Sequence, residues 1–326
     1  MINSYFWCSV IFLLVSFSTL LIEKNLIPKL NSKANQPIYK EGPSWHLSKQ
    51  GTPTMGGLAF LISITLCLIS VSLFMLNSQN ETIGISLLIS LIFCLGNAMV
   101  GIVDDFTKLK RKENAGLTPF QKLLYQSVFA VLFLMARRYF LSDTTAIEFP
   151  FIRIDLGLLY YPLAMIILLG IINCANLTDG IDGLASSVAI SIGGVFLLIG
   201  GMNTEIAALS AALIGGSVGF LLFNAHPAKI FMGDTGSLFL GSLAVCLAFS
   251  MGNPLIILFI GGVYVIEGIS VVLQVLIYKA TKKRLFKMAP LHHHLEKCGM
   301  EESRICALAI FLTLILSSFA ILILEM

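Results

Sequence analysis

The sequence predicts an all-α polytopic integral membrane protein, and three observations support this fold class. Of the 326 residues, 57% are hydrophobic and only 12% are charged, whereas a soluble domain carries about 25% charged residues. Apolar stretches of about 20 residues, each long enough to cross a bilayer, recur along the chain. The basic residues are concentrated in alternate connections between these stretches. We therefore expect a single membrane-embedded domain over residues 1–326.

Ten stretches are long and apolar enough to be candidate transmembrane helices. They cover residues 5–27, 53–76, 83–103, 118–141, 157–176, 183–200, 205–223, 237–251, 255–279 and 304–325. No Lys or Arg precedes the first stretch and no small-residue cleavage site follows it. We therefore interpret it as a retained helix rather than a signal peptide.

The distribution of basic residues predicts the orientation. An even number of crossings places both termini on one face, and the connections on the other face are 28–52, 104–117, 177–182, 224–236 and 280–303. These connections and their edges carry all of the 21 Lys and Arg residues except Arg137, Arg138 and Arg153. The positive-inside rule makes that face cytoplasmic and the termini external. The external segment 147–161 is expected to form a short hairpin.

Adjacent aspartates stand where the third predicted helix ends, in the sequence GIVDDFTKLKRK. Neighbouring helical residues point about 100° apart, so Asp104 and Asp105 cannot both face one target unless the helix has ended. One carboxylate could reach a reaction centre while the other pairs with Lys108 or Lys110. The alternative is a solvated helix end that marks the membrane boundary.

The sequence NCANLTDGIDGLA ends the fifth predicted helix with polar residues at every third position, namely Asn173, Asn176, Asp179 and Asp182. Two amides in an apolar setting need partners, because an unpaired amide costs a few kcal/mol. The amides could instead bond neighbouring helices as structural contacts. The two carboxylates could cap the following helix.

Asp234 lies in HPAKIFMGDTGSLFLGS, just before the eighth predicted helix. It could be only the N-cap of that helix. However, three cytoplasmic connections together carry five aspartates, at positions 104, 105, 179, 182 and 234. Such a group could supply the oxygen ligands that Mg²⁺ prefers, with room left for phosphate oxygens and water.

Three further features could serve a site for phosphates. The histidines of PLHHHLE, at 292–294, could hydrogen-bond phosphate near pH 7, or form part of a basic patch for anionic lipid headgroups. Lys49, in HLSKQGTPTMGG, could contact an anion at a helix N-terminus, or be an ordinary basic residue of the cytoplasmic face. Glu267 lies within the ninth apolar stretch and needs a partner, but the sequence shows none.

Six of these stretches carry a family resemblance. In order they are SKQGTPTMGG, GIVDDFTK, NCANLTDGIDGLA, FNAHPAKIFMGDTGSLFLG, EGISVVLQV and MAPLHHHLE, between residues 46 and 296. Together they resemble the bacterial phospho-N-acetylmuramoyl-pentapeptide transferase family, of glycosyltransferase family 4 type within the polyprenyl-phosphate N-acetylhexosamine-1-phosphate transferase superfamily. The unbroken PLHHHLE and GTPTMGG favour this family over relatives with N-acetylglucosamine-phosphate donors, which remain the alternative.

The resemblance implies ten helices, external termini and a Mg²⁺-dependent reaction in the bacterial cytoplasmic membrane. Undecaprenyl phosphate would attack the β-phosphorus of UDP-N-acetylmuramoyl-pentapeptide, UMP would leave, and lipid-linked muramoyl-pentapeptide would form. Either direct attack or a phospho-aspartate intermediate is compatible with the sequence. The expected partners are these two substrates and membrane lipids. A homodimer is left open, and no nucleic-acid partner is expected.

The resemblance also implies roles for individual residues. Asp234 would bind Mg²⁺, while Asp104, Asp105 and His292 would be catalytic. The residues that resemble the nucleoside pocket are Lys49, Asn176, Asp179, Gly180, Ile181, Asp182, Asn224 and Phe231, with Phe231 placed to stack on uracil. Further substrate contacts would be Asn173, Gln274 and His293. Ile181 departs from the leucine that is common in the family, and we expect this apolar change to be tolerated.

Two rival classes fit less well. A transporter or channel would have polar residues strung across the bilayer and often an inverted repeat, whereas these carboxylates, except Glu267, cluster at one end and no repeat is visible. A CDP-alcohol phosphotransferase motif would begin as DGIDGLAS does, but the chain departs from it at Ser186. The seven cysteines form no CxxC pair, so we expect neither a disulfide framework nor a zinc site.

Overall fold

The structure, a computed structural model, describes residues 4–31, 49, 51–111, 116–149, 152–201 and 203–325. Most of the predicted connection 28–52, with His46, and residues 112–115 of the connection 104–117 lie outside this part. The helices in chain order are α1 (Ser4–Leu30), α2 (Gly57–Leu76), α3 (Glu81–Arg111), α4 (Pro119–Ala136), α5 (Tyr160–Thr178), α6 (Leu184–Ile199), α7 (Thr204–Asn224), α8 (Gly233–Ser250), α9 (Ile257–Ile260), α10 (Gly262–Thr281), α11 (Leu291–Lys297) and α12 (Glu302–Glu325).

The described helices confirm a polytopic all-α membrane protein. Nine of them are long and apolar enough to cross a membrane, namely α1 to α5, α7, α8, α10 and α12, and α6 is a shorter apolar helix of 16 residues. Large apolar side chains cover the outer surface, including Phe17, Leu132 and Phe311, which are all more than half exposed. Such a surface suits lipid contact, because lipid does not penalise exposed apolar groups as water does.

The predicted end of the third helix at residue 103 was wrong. α3 continues to Arg111, so Asp104 and Asp105 lie within the helix. The Lys108 ammonium lies 2.6 Å from the Asp104 carboxylate one turn away, and basic residues in the last turn interact favourably with the helix dipole. Charge therefore extends the helix beyond its apolar part.

The predicted helix 255–279 is broken near its start. Asn253 caps a single 3₁₀ turn, Pro254–Ile256, by accepting a hydrogen bond from the Leu255 amide at 3.2 Å. The short helix α9 then ends at Ile260, and α10 starts at Gly262 after the single residue Gly261. This break places Glu267 in the second turn of α10.

Helix α8 forms the centre of the bundle, and every residue from 235 to 249 is buried. Glycines let neighbouring helices approach its first turn closely, as in other membrane bundles. A Cβ atom at Gly57 of α2 would overlap Gly236, and one at Gly101 of α3 would lie 2.6 Å from the Thr235 amide nitrogen. The N-terminus of α8 is therefore held between α2 and α3.

The opposite end of the bundle carries a buried ion-pair network and a hairpin. The Arg137 guanidinium pairs with Asp143 at 2.5 Å and donates to the Phe249 carbonyl at 3.1 Å. The strands β1 (Ala146–Phe149) and β2 (Ile152–Asp155) pair in antiparallel register, with Glu148 opposite Arg153. The hairpin predicted in 147–161 is therefore confirmed.

Candidate active site

Three carboxylates from two helices meet at the N-terminus of α8. Asp104 and Asp105 of α3 are buried, and Asp234 lies in the first turn of α8. Each residue offers an oxygen atom, and these oxygens lie within 4.8 Å of one another. We call this group the aspartate triad. Its donors are all carboxylate oxygens, the type of ligand that a hard divalent cation such as Mg²⁺ prefers.

Asp105 caps α8 from a neighbouring helix. Its carboxylate accepts hydrogen bonds from the Asp234 amide at 3.1 Å, the Thr235 amide at 2.9 Å and the Thr235 hydroxyl at 2.7 Å. A carboxylate at a helix N-terminus is favoured by the free amides and by the dipole. Asp234 itself is not the N-cap, a position that Met232 occupies without a side-chain bond. The Asp234 side chain is therefore available for other partners.

Two lysines neutralise the other two carboxylates of the triad. The Lys108 ammonium lies 2.6 Å from Asp104 and 3.3 Å from Asp234. The Lys122 ammonium lies 3.2 Å from Asp104 and also pairs with Asp234. The backbone amide of Leu117 donates to Asp104 at 2.7 Å. The oxygen donors therefore suit a divalent cation, which would compete with two ammonium groups for them.

Lys122 was not among the site residues predicted from the sequence. It stands in the first turn of α4, where the helix dipole disfavours a cation. That unfavourable position in an otherwise apolar helix was the available signal, because it indicates a compensating negative partner from elsewhere in the chain.

The end of α5 adds two polar side chains to the triad. The Asn176 amide donates to Asp234 at 3.1 Å and to the Ser237 hydroxyl at 2.8 Å. Asp179 caps the C-terminus of α5. Loss of hydration, followed by the negative charges of Asp234, Asp105 and Asp182, raises the pKa of Asp179 to about 8. Burial, the largest cause, and the neighbouring carboxylates both disfavour the ionised form of Asp179.

The raised pKa predicts a pH dependence of stability that Asp179→Asn removes. Because the folded-state pKa of about 8 exceeds the ordinary value of 3.8, the folded chain binds the extra proton. Its stabilising effect is full below the ordinary pKa and is lost as pH rises through 8. Without added metal, the wild-type melting temperature should therefore fall between about pH 6 and pH 9. Thermal unfolding in detergent measures this, and equal pH slopes for both proteins would contradict it.

A second cluster surrounds Asp182 at the start of α6. The Lys49 ammonium lies 2.8 Å from Asp182 and 2.6 Å from Glu302 of α12. Glu302 also accepts the Asp182 amide at 2.7 Å, and the His226 Nδ1 atom lies 3.0 Å from the Asp182 carboxylate. His226 and Glu302 were not predicted as site residues from the sequence. Glu302 gave no signal there, because an acidic residue in the first turn of a helix is ordinary.

Asn224 is the last residue of α7, and Phe231 lies in the loop between α7 and α8. Asn224 is buried, accepts the Gly183 amide at 3.0 Å and donates to the Ile230 carbonyl at 2.9 Å. The Phe231 amide donates to the Pro53 carbonyl at 2.8 Å, and its ring is only partly buried. Asn224 therefore fixes the loop, while Phe231 lies partly exposed near the start of α8.

α11 brings the histidines to the same end of the bundle. The His292 ring is fully buried and packs against Gly180, where a Cβ atom would overlap it. The His293 Nδ1 atom lies 2.6 Å from the Glu296 carboxylate. Ile181, next to Gly180, is 5% exposed. The turn 179–182 therefore packs against the His292 ring at Gly180 and carries Asp182 of the second cluster.

Two predicted substrate contacts make structural hydrogen bonds. The Asn173 amide donates to Gln126 of α4 at 2.8 Å and to the Leu169 carbonyl at 2.8 Å. Gln274 accepts a hydrogen bond from the Phe286 amide at 2.9 Å. Asn173 therefore makes a hydrogen bond between two helices, which was the alternative to a substrate contact. The substrate roles of both residues stay predictions.

Comparisons with known proteins agree with the motifs. The family model for glycosyl transferase family 4 matches residues 87–252, and signature 1 of phospho-N-acetylmuramoyl-pentapeptide-transferase matches residues 49–61. The chain is 43% identical over 298 residues to the phospho-N-acetylmuramoyl-pentapeptide-transferase of Halalkalibacterium halodurans, covering 90% of each chain. The enzyme of the same name from Clostridioides difficile is 40% identical, covering 90% of this chain and 91% of that one.

The corresponding protein of Bacillus subtilis is 41% identical over 292 residues, covering 88% of each chain. The signature match includes Lys49, and the family match includes the aspartate triad and Asp182. Since alignments with 40% to 43% identity cover nine tenths of the chain, this protein is an enzyme that belongs to the phospho-N-acetylmuramoyl-pentapeptide transferases of glycosyl transferase family 4.

Proposed function

We propose that this enzyme transfers phospho-N-acetylmuramoyl-pentapeptide from its UDP-linked donor to undecaprenyl phosphate, with release of UMP, at the cytoplasmic face of the bacterial inner membrane. The observation that carries the proposal is the aspartate triad with its two lysines at one end of an apolar bundle. A lipid tail can remain among the apolar helices while its head reaches a water-borne nucleotide at such a site.

The reaction exchanges one bond to phosphorus for another. An oxygen of the lipid phosphate forms a bond to the β-phosphorus of the donor, and the bond from that phosphorus to the bridging oxygen of UMP breaks with its electron pair. A phosphate monoester is already largely ionised near pH 7, so this step needs no strong base. The main requirement is to neutralise several negative charges held close together.

The triad is the proposed site for Mg²⁺. Asp104, Asp105 and Asp234 would hold the ion, which would supply positive charge to the diphosphate. Lys108 and Lys122 are proposed to hold phosphate oxygens, because each ammonium group already lies among the carboxylates. Both Asp105 oxygens accept hydrogen bonds from the start of α8. Asp105 is therefore proposed to orient Asp234 rather than to take up a proton.

The turn 179–182 and the loop before α8 are the proposed nucleoside site. The partly buried Phe231 ring can stack on uracil, as aromatic rings do with bases. Asp182 and Lys49 offer an acceptor and a donor for the edge of the base. Asn224 would keep the two segments at a fixed separation, because it bonds to both Gly183 and Ile230.

A purified assay tests the proposal. UDP-N-acetylmuramoyl-pentapeptide and undecaprenyl phosphate are incubated with the enzyme in detergent, and UMP release and the lipid product are followed with Mg²⁺ or with EDTA. We expect one UMP per lipid-linked product and no turnover in EDTA. Turnover with UDP-N-acetylglucosamine in place of the muramoyl donor would support the alternative donor class. Solute uptake by proteoliposomes without UMP release would support a transporter.

A further inference from the structure

Glu267 is a buried carboxylate that the proposed reaction does not use. It lies in the second turn of α10, in the apolar sequence GGVYVIEGISVVLQV, and is only 6% exposed. A carboxylate in such a place is costly without a partner, so it is retained for a specific contact.

The partner of Glu267 is His292, in the first turn of α11. The His292 amide donates to both carboxylate oxygens, at 3.2 and 3.3 Å. The Nδ1 atom of the same residue lies 3.2 Å from the Glu267 Oε2 atom, within ion-pair distance but outside hydrogen-bond geometry. One carboxylate therefore faces both the backbone and the ring of His292. Because an ionised carboxylate only accepts hydrogen bonds, it favours the ring form that carries a proton on Nδ1.

The other ring nitrogen of His292 points toward the candidate site. Like Nδ1, the Nε2 atom is buried without a hydrogen-bond partner among the described residues, but it lies on the side of the ring away from Glu267. It faces Gly180, and a Cβ atom at that position would overlap it. Gly180 follows Asp179, which interacts electrostatically with Asp105, Asp182 and Asp234. The absence of a side chain at Gly180 thus lets the ring reach the turn 179–182.

We propose that Glu267 is a positioning residue that fixes the orientation and the protonated nitrogen of His292, so that Nε2 stays unprotonated and can accept the proton that the lipid phosphate still carries when it binds. The departing UMP or water takes this proton up afterwards. This inference rests on the proposed function, and it adds to that function a contact between His292 and the lipid phosphate. The carboxylate touches no substrate atom and acts only through the imidazole, as the buried carboxylate of a hydrolase triad does.

Glu267→Gln separates this role from a merely structural one. The glutamine carbonyl can still accept the His292 amide, so α11 should keep its place and the melting temperature should stay near that of the wild type. The amide group no longer requires a proton on Nδ1, because its own N–H can donate to that atom. We expect kcat to fall by about tenfold to a hundredfold with little change in KM for the donor.

Glu205→Gln is the matched control. Glu205 is a partly buried carboxylate at the opposite end of the bundle, where it accepts the hydroxyls of Ser86 and Ser250. We expect kcat of this variant to stay within about twofold of the wild type. If Glu267→Gln also keeps kcat within this limit, the positioning role is wrong.

A second readout does not depend on activity. In protein labelled with ¹⁵N-histidine, long-range ¹H–¹⁵N spectra show which ring nitrogen carries the proton, and His292→Gln identifies the His292 signals. We expect Nδ1–H in the wild type and a shift toward Nε2–H in Glu267→Gln, and identical His292 signals would overturn the proposal. If the wild type releases no UMP, the proposed function fails, and these spectra alone decide whether Glu267 sets the ring.

Discussion

Asp234→Asn is expected to abolish measurable transfer while the protein still folds. The Asp234 carboxylate is shared by Lys108, Lys122 and Asn176, and the proposed metal ion needs its negative charge. Asparagine keeps the volume but supplies no charge, so we expect a loss of about a thousandfold or more in kcat. UMP release measures the loss, and thermal unfolding in detergent confirms the fold.

Asp155→Asn is the control for this experiment. Asp155 accepts hydrogen bonds from the Thr145 hydroxyl at 2.6 Å and the Gly157 amide at 3.0 Å, on the hairpin at the opposite end. The control also loses a hydrogen-bonded carboxylate, but far from the triad, and should keep wild-type turnover. Near-normal turnover by Asp234→Asn would remove this residue from the reaction.

Gly101→Ala is expected to have the largest effect on stability and, through α8, a large effect on turnover. The added Cβ atom would lie 2.6 Å from the Thr235 amide nitrogen and would also overlap the Asp234 carbonyl group. Because backbone cannot rotate aside as a side chain can, α3 and α8 must separate. Overpacking of this kind costs about 1–3 kcal/mol. A displaced Asp234 should lower kcat by about tenfold or more.

The control for this substitution is Gly170→Ala, on the exposed face of α5. A Cβ atom there would meet nothing within 4 Å, and alanine favours a helix by roughly 0.5–1 kcal/mol over glycine. The melting temperature should therefore be unchanged or higher. If Gly101→Ala behaves like Gly170→Ala in both melting temperature and turnover, the close approach of α3 and α8 does not position Asp234.

Composition and periodicity were enough to predict the fold class, because transmembrane helices are recognised by apolar length alone. The same criterion failed at helix ends. The apolar part of α3 ends near residue 103, but ion pairs extend the helix to Arg111. Conversely, α8 begins at Gly233, before its apolar part, because Asp105 of another helix caps it.

The residue types of the site could be predicted, but their partners could not. The sequence placed five aspartates on one face, and three of them do share one location. It offered no way to connect Glu267 with His292, which are 25 residues apart and on different helices. Lys122 and Glu302 were missed for the same reason. Each resembles an ordinary charged residue near a membrane boundary until the bundle brings Lys122 to Asp234 and Glu302 to Lys49 and the Asp182 amide.

The most direct test of the account is Mn²⁺ binding, measured by electron paramagnetic resonance on the purified protein in detergent. The account predicts one Mn²⁺ per wild-type chain, displaced by Mg²⁺, and no ordered binding in either Asp234→Asn or Asp104→Asn, because the ion needs carboxylates from both α3 and α8. Unchanged Mn²⁺ binding in both variants, or no binding by the wild type, would contradict a shared metal site at the aspartate triad.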